Sequence, residues 1–281
     1  MPSTHHRRRW LKGVGPLASS SSTSVWASLM KKEFRQAWRS FRLPGLCLTL
    51  LFLAIMDPLA SKYMGEIIAR FAQGITIIVP PATAEQAMET FLSDVAELGL
   101  LVVIAVTMGS VASEKASGVS AFVVTKPVSR LTYVLAKYTI LAAGIAAGIG
   151  GSAAVAYLYT WTLLGAVQLG RACLATLAMA SYAELIMTVT FSASMALTGS
   201  LAAGGAGLAS VFLLGIAGSL LRGTRIAPYI PSALAGSASS LLRSYGQAGL
   251  ADVLLKPMAS AAALGVLLWT LGFRKFKRLA L

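Results

Sequence analysis

Apolar residues run through this chain in six blocks, at about 43–63, 93–113, 138–162, 172–196, 200–221 and 254–273. Each is close to the ~20 residues that an α-helix needs to cross the hydrocarbon core of a bilayer. The fourth and fifth blocks are parted only by a Thr198-Gly199-Ser200 turn. Small residues fill the blocks: Gly144 and Gly148 form a GxxxG, and Gly204, Gly205 and Gly207 cluster in the fifth. Small faces let helices approach closely where lipid supplies no hydrophobic drive, so these positions are expected to pack within the subunit. The pattern predicts an all-α integral membrane protein, with residues 43–281 forming a six-span membrane domain.

Ahead of the first block the periodicity changes. Over 25–42, Trp26, Leu29, Met30, Phe34, Ala37, Trp38 and Phe41 recur at three- and four-residue spacing. Lys31, Lys32, Arg35, Arg39 and Arg42 take much of the remaining surface. A basic amphipathic helix with aromatic anchors lies in the headgroup plane, and this segment is expected to be such an interfacial helix. Residues 1–24, with HHRRRWLKG and SSSST, lack the means to bury a core and read as a disordered basic and Ser-rich tail. They also lack the apolar stretch and small-residue cleavage site of a signal peptide. Between spans, 64–92 carries Pro80-Pro81, which breaks any helix. Residues 222–253, rich in Gly, Ser and Pro yet half apolar, are expected to dip as helices into the outer leaflet.

Composition agrees with this reading and removes others. Of 281 residues, 56% are hydrophobic and 12% charged, against roughly 45–50% and 25% in soluble domains. The formal net charge of +14 would suggest nucleic acid on a soluble protein, but its placement does not. Nine of the 24 Lys and Arg precede Leu43, four lie between Glu114 and Lys137, and four follow Phe273. Such clusters beside spans orient insertion, so no nucleic-acid partner is expected. An even number of spans puts both termini on one side, which the basic ends make the cytoplasm, of the cell (plasma) membrane. Cys47 and Cys173, without CxxC spacing, read as small buried hydrophobes.

The chain offers little catalytic chemistry. His5 and His6, in the tail, are its two histidines, and there is no HExxH or Cys/His cluster, so neither a metal nor another cofactor is expected. The nearest approach to a P-loop, GSVASEKAS from Gly109 to Ser117, has Glu114 where the second glycine belongs and Ala116 where Ser or Thr belongs. A carboxylate there would repel the phosphates that the loop must cradle. Asp57, Glu97 and Glu184 are the candidate acids for chemistry within the spans. Asp57 and Glu97 lie toward the external end, whereas Glu184 falls near the middle of the fourth span. There a charge costs roughly 2.5–3.5 kcal/mol on insertion scales. Glu184 is a candidate substrate or proton site, or a packing contact hydrogen-bonded to Ser, Thr or Tyr.

The most decorated loop is EKASGVSAFVVTKPVSR, Glu114 to Arg130. With KKEFRQAWRSFR before the first span and Lys137 just before the third, it resembles the type-2 permease subunits of ABC exporters. The matching positions are Lys32, Glu33, Glu114, Gly118, Pro127, Ser129, Arg130 and Lys137. The resemblance implies a permease that pairs with a second permease, as homo- or heterodimer, and is driven by two copies of a separate ABC ATPase. It further implies that the loop (Glu114, Gly118, Phe122, Lys126, Pro127, Ser129, Arg130) and the interfacial helix (Lys32, Glu33, Arg35, Trp38) contact that ATPase. Residue chemistry is compatible with this: Val119, Phe122 and Val123 form an apolar ridge at i, i+3 and i+4, flanked by Lys126 and Arg130 and stopped by Pro127. Such a knob suits a protein groove; the alternative is a loop lying on anionic lipid. The expected function is ATP-driven export, with hydrolysis in the partner. A proton-coupled secondary carrier using Glu184 is the alternative.

Overall fold

The computed structural model describes residues 22–71, 81–117, 129–243 and 249–279. Those residues form helices joined by short connections, with no strand among them. In chain order they are α1 (Ser22–Arg39), α2 (Arg42–Phe71), α3 (Ala84–Asp94), α4 (Leu100–Met108), α5 (Ala112–Ala116), α6 (Arg130–Leu164), α7 (Leu169–Ala196), α8 (Ser200–Leu220), α9 (Ala233–Arg243) and α10 (Lys256–Leu279). A π-helical turn over Val95–Gly99 joins α3 to α4, and another over Ala251–Leu255 leads into α10. Six of the resulting rods are long and apolar enough to cross a membrane: Arg42–Ile68, Ala84–Ala116, Arg130–Leu164, Leu169–Ala196, Ser200–Leu220 and Ala251–Arg278.

Five of the six rods extend beyond the apolar blocks, and for the first three a local reason is visible. The first span continues past residue 63 because Lys62, Glu66 and Arg70 are good helix formers in water. The second begins at Ala84, nine residues before its apolar block. Thr83 caps it reciprocally with Gln86: the Gln86 N–H donates to Thr83 Oγ1 at 3.2 Å, and the Thr83 N–H donates to Gln86 Oε1 at 2.9 Å. Ala84, Ala87, Met88, Phe91 and Leu92 then form a buried stripe despite the acids between them. The third begins at Arg130, where Ser129 Oγ accepts from the Thr132 N–H at 3.1 Å.

α7 is the central rod. It packs on α10, α9, α8, α4 and α6, while α2 lies chiefly against α6. The expected small-residue contacts form within the chain. Gly148 faces Leu50 and Leu46 of α2, Gly204 faces Met108, and Gly207 faces Thr190 and Ile104. Large apolar side chains such as Leu48, Phe52, Phe212, Leu213, Val266 and Leu267 point away from the bundle, as a lipid-contacting surface requires. Cys47 and Cys173 also lie on that outer surface, which corrects the expectation that they are buried; each is on the helix side that no neighbouring rod covers.

α1 starts at Ser22 and stops at Arg39, a little earlier than the sequence pattern suggests. Its Ala37 and Glu33 are buried, and it packs mainly on α6. Phe34, Trp38 and Phe41 stay exposed, with Phe34 and Trp38 stacked at 6.0 Å between ring centroids. The helix therefore has two apolar sides, one against protein and one left for the interface. Its junction with α2 is tight. Phe41 sits at φ +57°, a left-handed conformation costing an L-residue about 1–2 kcal/mol, and its N–H donates to Trp38 O at 3.3 Å.

α9 packs on α7 and α3 at the end of the bundle away from α1, with Leu234, Ala238, Leu241 and Leu242 buried. Arg243 at its end reaches Glu89 of α3 at 2.6 Å. The Gly-, Ser- and Pro-rich segment thus contains a short helix packed on the bundle, while 244–248 lie outside the described residues.

Candidate functional site

At the α1 end of the bundle, one lysine holds two carboxylates. Lys137, on the first turns of α6, donates to Glu33 Oε2 of α1 and to Glu114 Oε1 of α5, each at 2.7 Å. Both Lys137 and Glu33 are buried, at 4% and 5% exposure, and Glu114 nearly so. The other carboxylate oxygens are also occupied. Lys32 Nζ lies 3.1 Å from Glu33 Oε1, Gln36 Nε2 donates to Glu114 Oε1 at 3.0 Å, and the Tyr133 hydroxyl donates to Glu114 Oε2. The ammonium of Lys137 stands 5.1 Å from the centre of the Tyr133 ring, a cation–π distance. Two acids are thus matched by two ammoniums and filled with donors, the condition under which buried charge is tolerated. The cluster joins α1, the end of the second span and the start of the third.

The same loop foot is fastened on its other side to α7. Ser194 Oγ accepts from the N–H groups of Val111 and Ala112, at 3.1 and 2.9 Å, and so satisfies the first amides of α5. In return Lys115 donates to Met195 O at 2.8 Å and to Leu197 O, placing a cation where the α7 dipole is negative. The far foot of the loop reaches α10, where Arg130 Nη1 donates to Lys277 O at 3.2 Å. Ser194 is fully buried, so Ser194→Ala leaves two amides without a partner. The expected cost is about 1–3 kcal/mol, read as a lower melting temperature of the detergent-solubilised protein, with Ser194→Thr close to the parent.

Of the residues that the sequence singled out, Lys32, Glu33 and Glu114 converge here. Ser129 caps α6, and Arg130 bonds the C-terminal helix. Arg35 and Trp38 lie on the exposed sides of α1, and Arg35 joins Lys31, Lys32 and Arg39 along a basic groove. Gly118, Phe122, Lys126 and Pro127 lie outside the described residues. Gln36, Lys115, Tyr133 and Ser194 were not anticipated in these roles. A Lys following Glu114 and a Tyr four residues before Lys137 were the available signals, but their partners come from distant segments.

Glu184 is elsewhere. It lines a cavity of about 570 Å³ bounded by α6, α7 and α10, with Leu135, Tyr138, Thr188 and Trp269 around it. Its Oε1 is buried and has no hydrogen-bond partner, so the packing contact with Ser, Thr or Tyr is not made by that atom. Thr188 instead donates to the Glu184 main-chain carbonyl at 2.7 Å and meets the Tyr138 hydroxyl at 2.9 Å. Asp57 is buried rather than reaching interfacial water, and its neighbour is Asp94 of α3. Asp94 stands where α3 meets the π-helical turn, inside the second apolar block. Glu97 faces outward. Among the described residues no three His, Cys, Asp or Glu side chains converge as metal ligands would.

The chain is 31% identical over 154 residues to an uncharacterized transmembrane protein, YxlG, of Bacillus subtilis (strain 168). With six membrane-length rods already in place, that likeness is decisive for the broad class. This is a multi-pass transmembrane protein. The match covers 52% of the chain and spans only 58% of the relative's length. No family model matches the sequence.

Proposed function

We propose that the chain is the membrane-spanning permease subunit of an ATP-driven ABC transporter of the type-2 class, working in the plasma membrane with both termini cytoplasmic. In this reading it exports its cargo, pairs with a second permease and takes its energy from two ATPase subunits. The observation that carries the reading is the Lys137 cluster. It ties the lateral helix α1 to both sides of the loop 118–128 at the Lys- and Arg-rich end. A load applied to that loop or to α1 is shared at once by the second and third spans, and through Ser194 and Lys115 by the fourth. The 281 residues contain no P-loop, and in this reading the input comes from a separate ATPase chain.

The test is co-purification in mild detergent with any P-loop ATPase encoded in the neighbouring genes, followed by ATP hydrolysis in the complex. Phe122→Asp combined with Arg130→Ala should lose most of the ATPase while leaving the membrane protein folded by thermal melting. Undiminished recovery would overturn the docking assignment. A proton-coupled carrier is the second reading, favoured by the unpartnered Glu184 oxygen in its cavity. Gradient-driven uptake by the purified chain alone, stopped by Glu184→Gln, would select it.

A further inference from the structure

The cavity around Glu184 has an unusual combination of surfaces for the middle of a span. Its floor is built from small residues, including Ala180, Ala261, Ala262 and Gly265. One wall is a fixed run of aromatic rings. Tyr138 meets Trp269 edge-on at 6.4 Å, and Trp269 stacks on Phe273 at 5.3 Å. Tyr138 is itself held by Phe191 at 5.5 Å and by Thr188. No lysine or arginine lines the space. One carboxylate, Glu184, borders this apolar volume and is partly exposed, while its Oε1 is covered by protein and has no partner among the described residues. The Trp269 indole N–H is likewise without a partner.

Buried polar atoms are ordinarily paired, and an unpaired one calls for an explanation. A lipid tail would fill the volume but leave the Glu184 carboxylate without a counter-charge. An anion is repelled by it. A bare metal ion finds one carboxylate and no further ligands. A molecule with a single positive charge on an apolar, ring-sized body meets most of these surfaces: ion pairing at Glu184, π-faces at Tyr138 and Trp269, and apolar contact at the floor; the Trp269 N–H is the one group that it leaves unmet. The volume is within the range of small-molecule sites.

We propose that this cavity is a binding site for a lipophilic organic cation, with Glu184 as its counter-ion. The proposal deepens the transporter reading by giving a cargo class, and it takes its biological meaning from that reading. Binding is a property of this chain alone, however. A failed binding test leaves the ATPase partnership standing, and absence of an ATPase leaves the site standing.

The experiment places the full purified chain in phosphatidylcholine nanodiscs, without any ATPase, and measures equilibrium binding of radiolabelled tetraphenylphosphonium. Saturable binding at one site per chain is expected. Tetraphenylborate, of the same shape and opposite charge, should not compete. Glu184→Gln should weaken binding by at least about tenfold. Ala262→Phe, at an exposed position on the cavity wall, should abolish it while keeping Glu184 and the fold. Equal competition by tetraphenylborate would overturn the proposal and mark the cavity as a seat for acyl chains. Undiminished binding by Glu184→Gln or Ala262→Phe would overturn it too. Should Glu184→Gln fail to fold, the competition and the Ala262→Phe variant decide alone.

Discussion

Lys137→Met is expected to destabilise the protein by about 3–5 kcal/mol, the usual consequence of removing one partner from a buried ion pair. The reason is what remains. Glu33 and Glu114 would face each other across a site closed to water, each having lost its 2.7 Å contact. Lys32 cannot replace the missing charge fully, because it is half exposed and already engaged with Glu33. Thermal melting of the detergent-solubilised chain measures the loss. The triple variant Glu33→Gln, Glu114→Gln, Lys137→Met should recover most of it, since a neutral, similarly shaped cluster no longer contains an unpaired charge. If the triple variant is as unstable as the single one, the destabilisation comes from packing and not from stranded carboxylates. Under the proposed ATPase partnership, coupling to that ATPase gives a second readout. The recovered triple variant is expected to fold without transmitting from the loop, because the contacts joining α1, α5 and α6 are gone.

The second large effect is expected at Gly272, where α10 crosses α7. A Cβ there would lie 2.8 Å from the carbonyl oxygen and 3.1 Å from the Cα of Ser192. Both atoms are main chain, so no rotamer change relieves the clash and the helices must separate. Gly272→Ala should cost about 1–3 kcal/mol, and Gly272→Leu should prevent α10 from seating. Gly150 and Gly215 provide the contrast, since nothing lies within 4 Å of a Cβ at either position. Alanine there should be neutral or stabilising by up to about 1 kcal/mol, from helix propensity alone. A comparable drop in melting temperature at all three sites would show that helix crossing is not what Gly272 protects.

How far the sequence reaches into this molecule depends on whether a property is local. Six apolar blocks were enough to predict six spans, because crossing a bilayer is decided by a run of neighbouring residues. The ends were less legible. AEQAMETFLSD reads as a polar approach to the second span because Glu85, Glu89 and Asp94 dilute its hydropathy. Its buried stripe at Ala84, Ala87, Met88 and Phe91 has helical spacing and was available to a reading by period. The start of the third span was hidden by Lys137, a charge that looks external until its two carboxylates are found. Those partners lie 104 and 23 residues away, and no spacing rule predicts them. Motif resemblance did bring Glu33, Glu114 and Lys137 into one set, without saying that they touch. Glu184 was conspicuous as an acid in an apolar run. The cavity beside it was not, because it is formed by small residues on α7 and α10 that the sequence presents as ordinary span filling.

The left-handed turn at Phe41 leaves only two residues between α1 and α2. Were the two helices to swing as one piece, carrying with them the α6 contacts that both make, they would form a bent crank. Its short arm, the 18 residues of α1, is about 27 Å long, and its long arm, the 30 residues of α2, is about 45 Å. Displacing the tip of the short arm by about 3 Å turns the elbow through roughly 6°, and the far end of the long arm then travels about 5 Å. A push received at the membrane surface would arrive at the opposite face enlarged, with no gear beyond the stiffness of one aromatic residue's backbone.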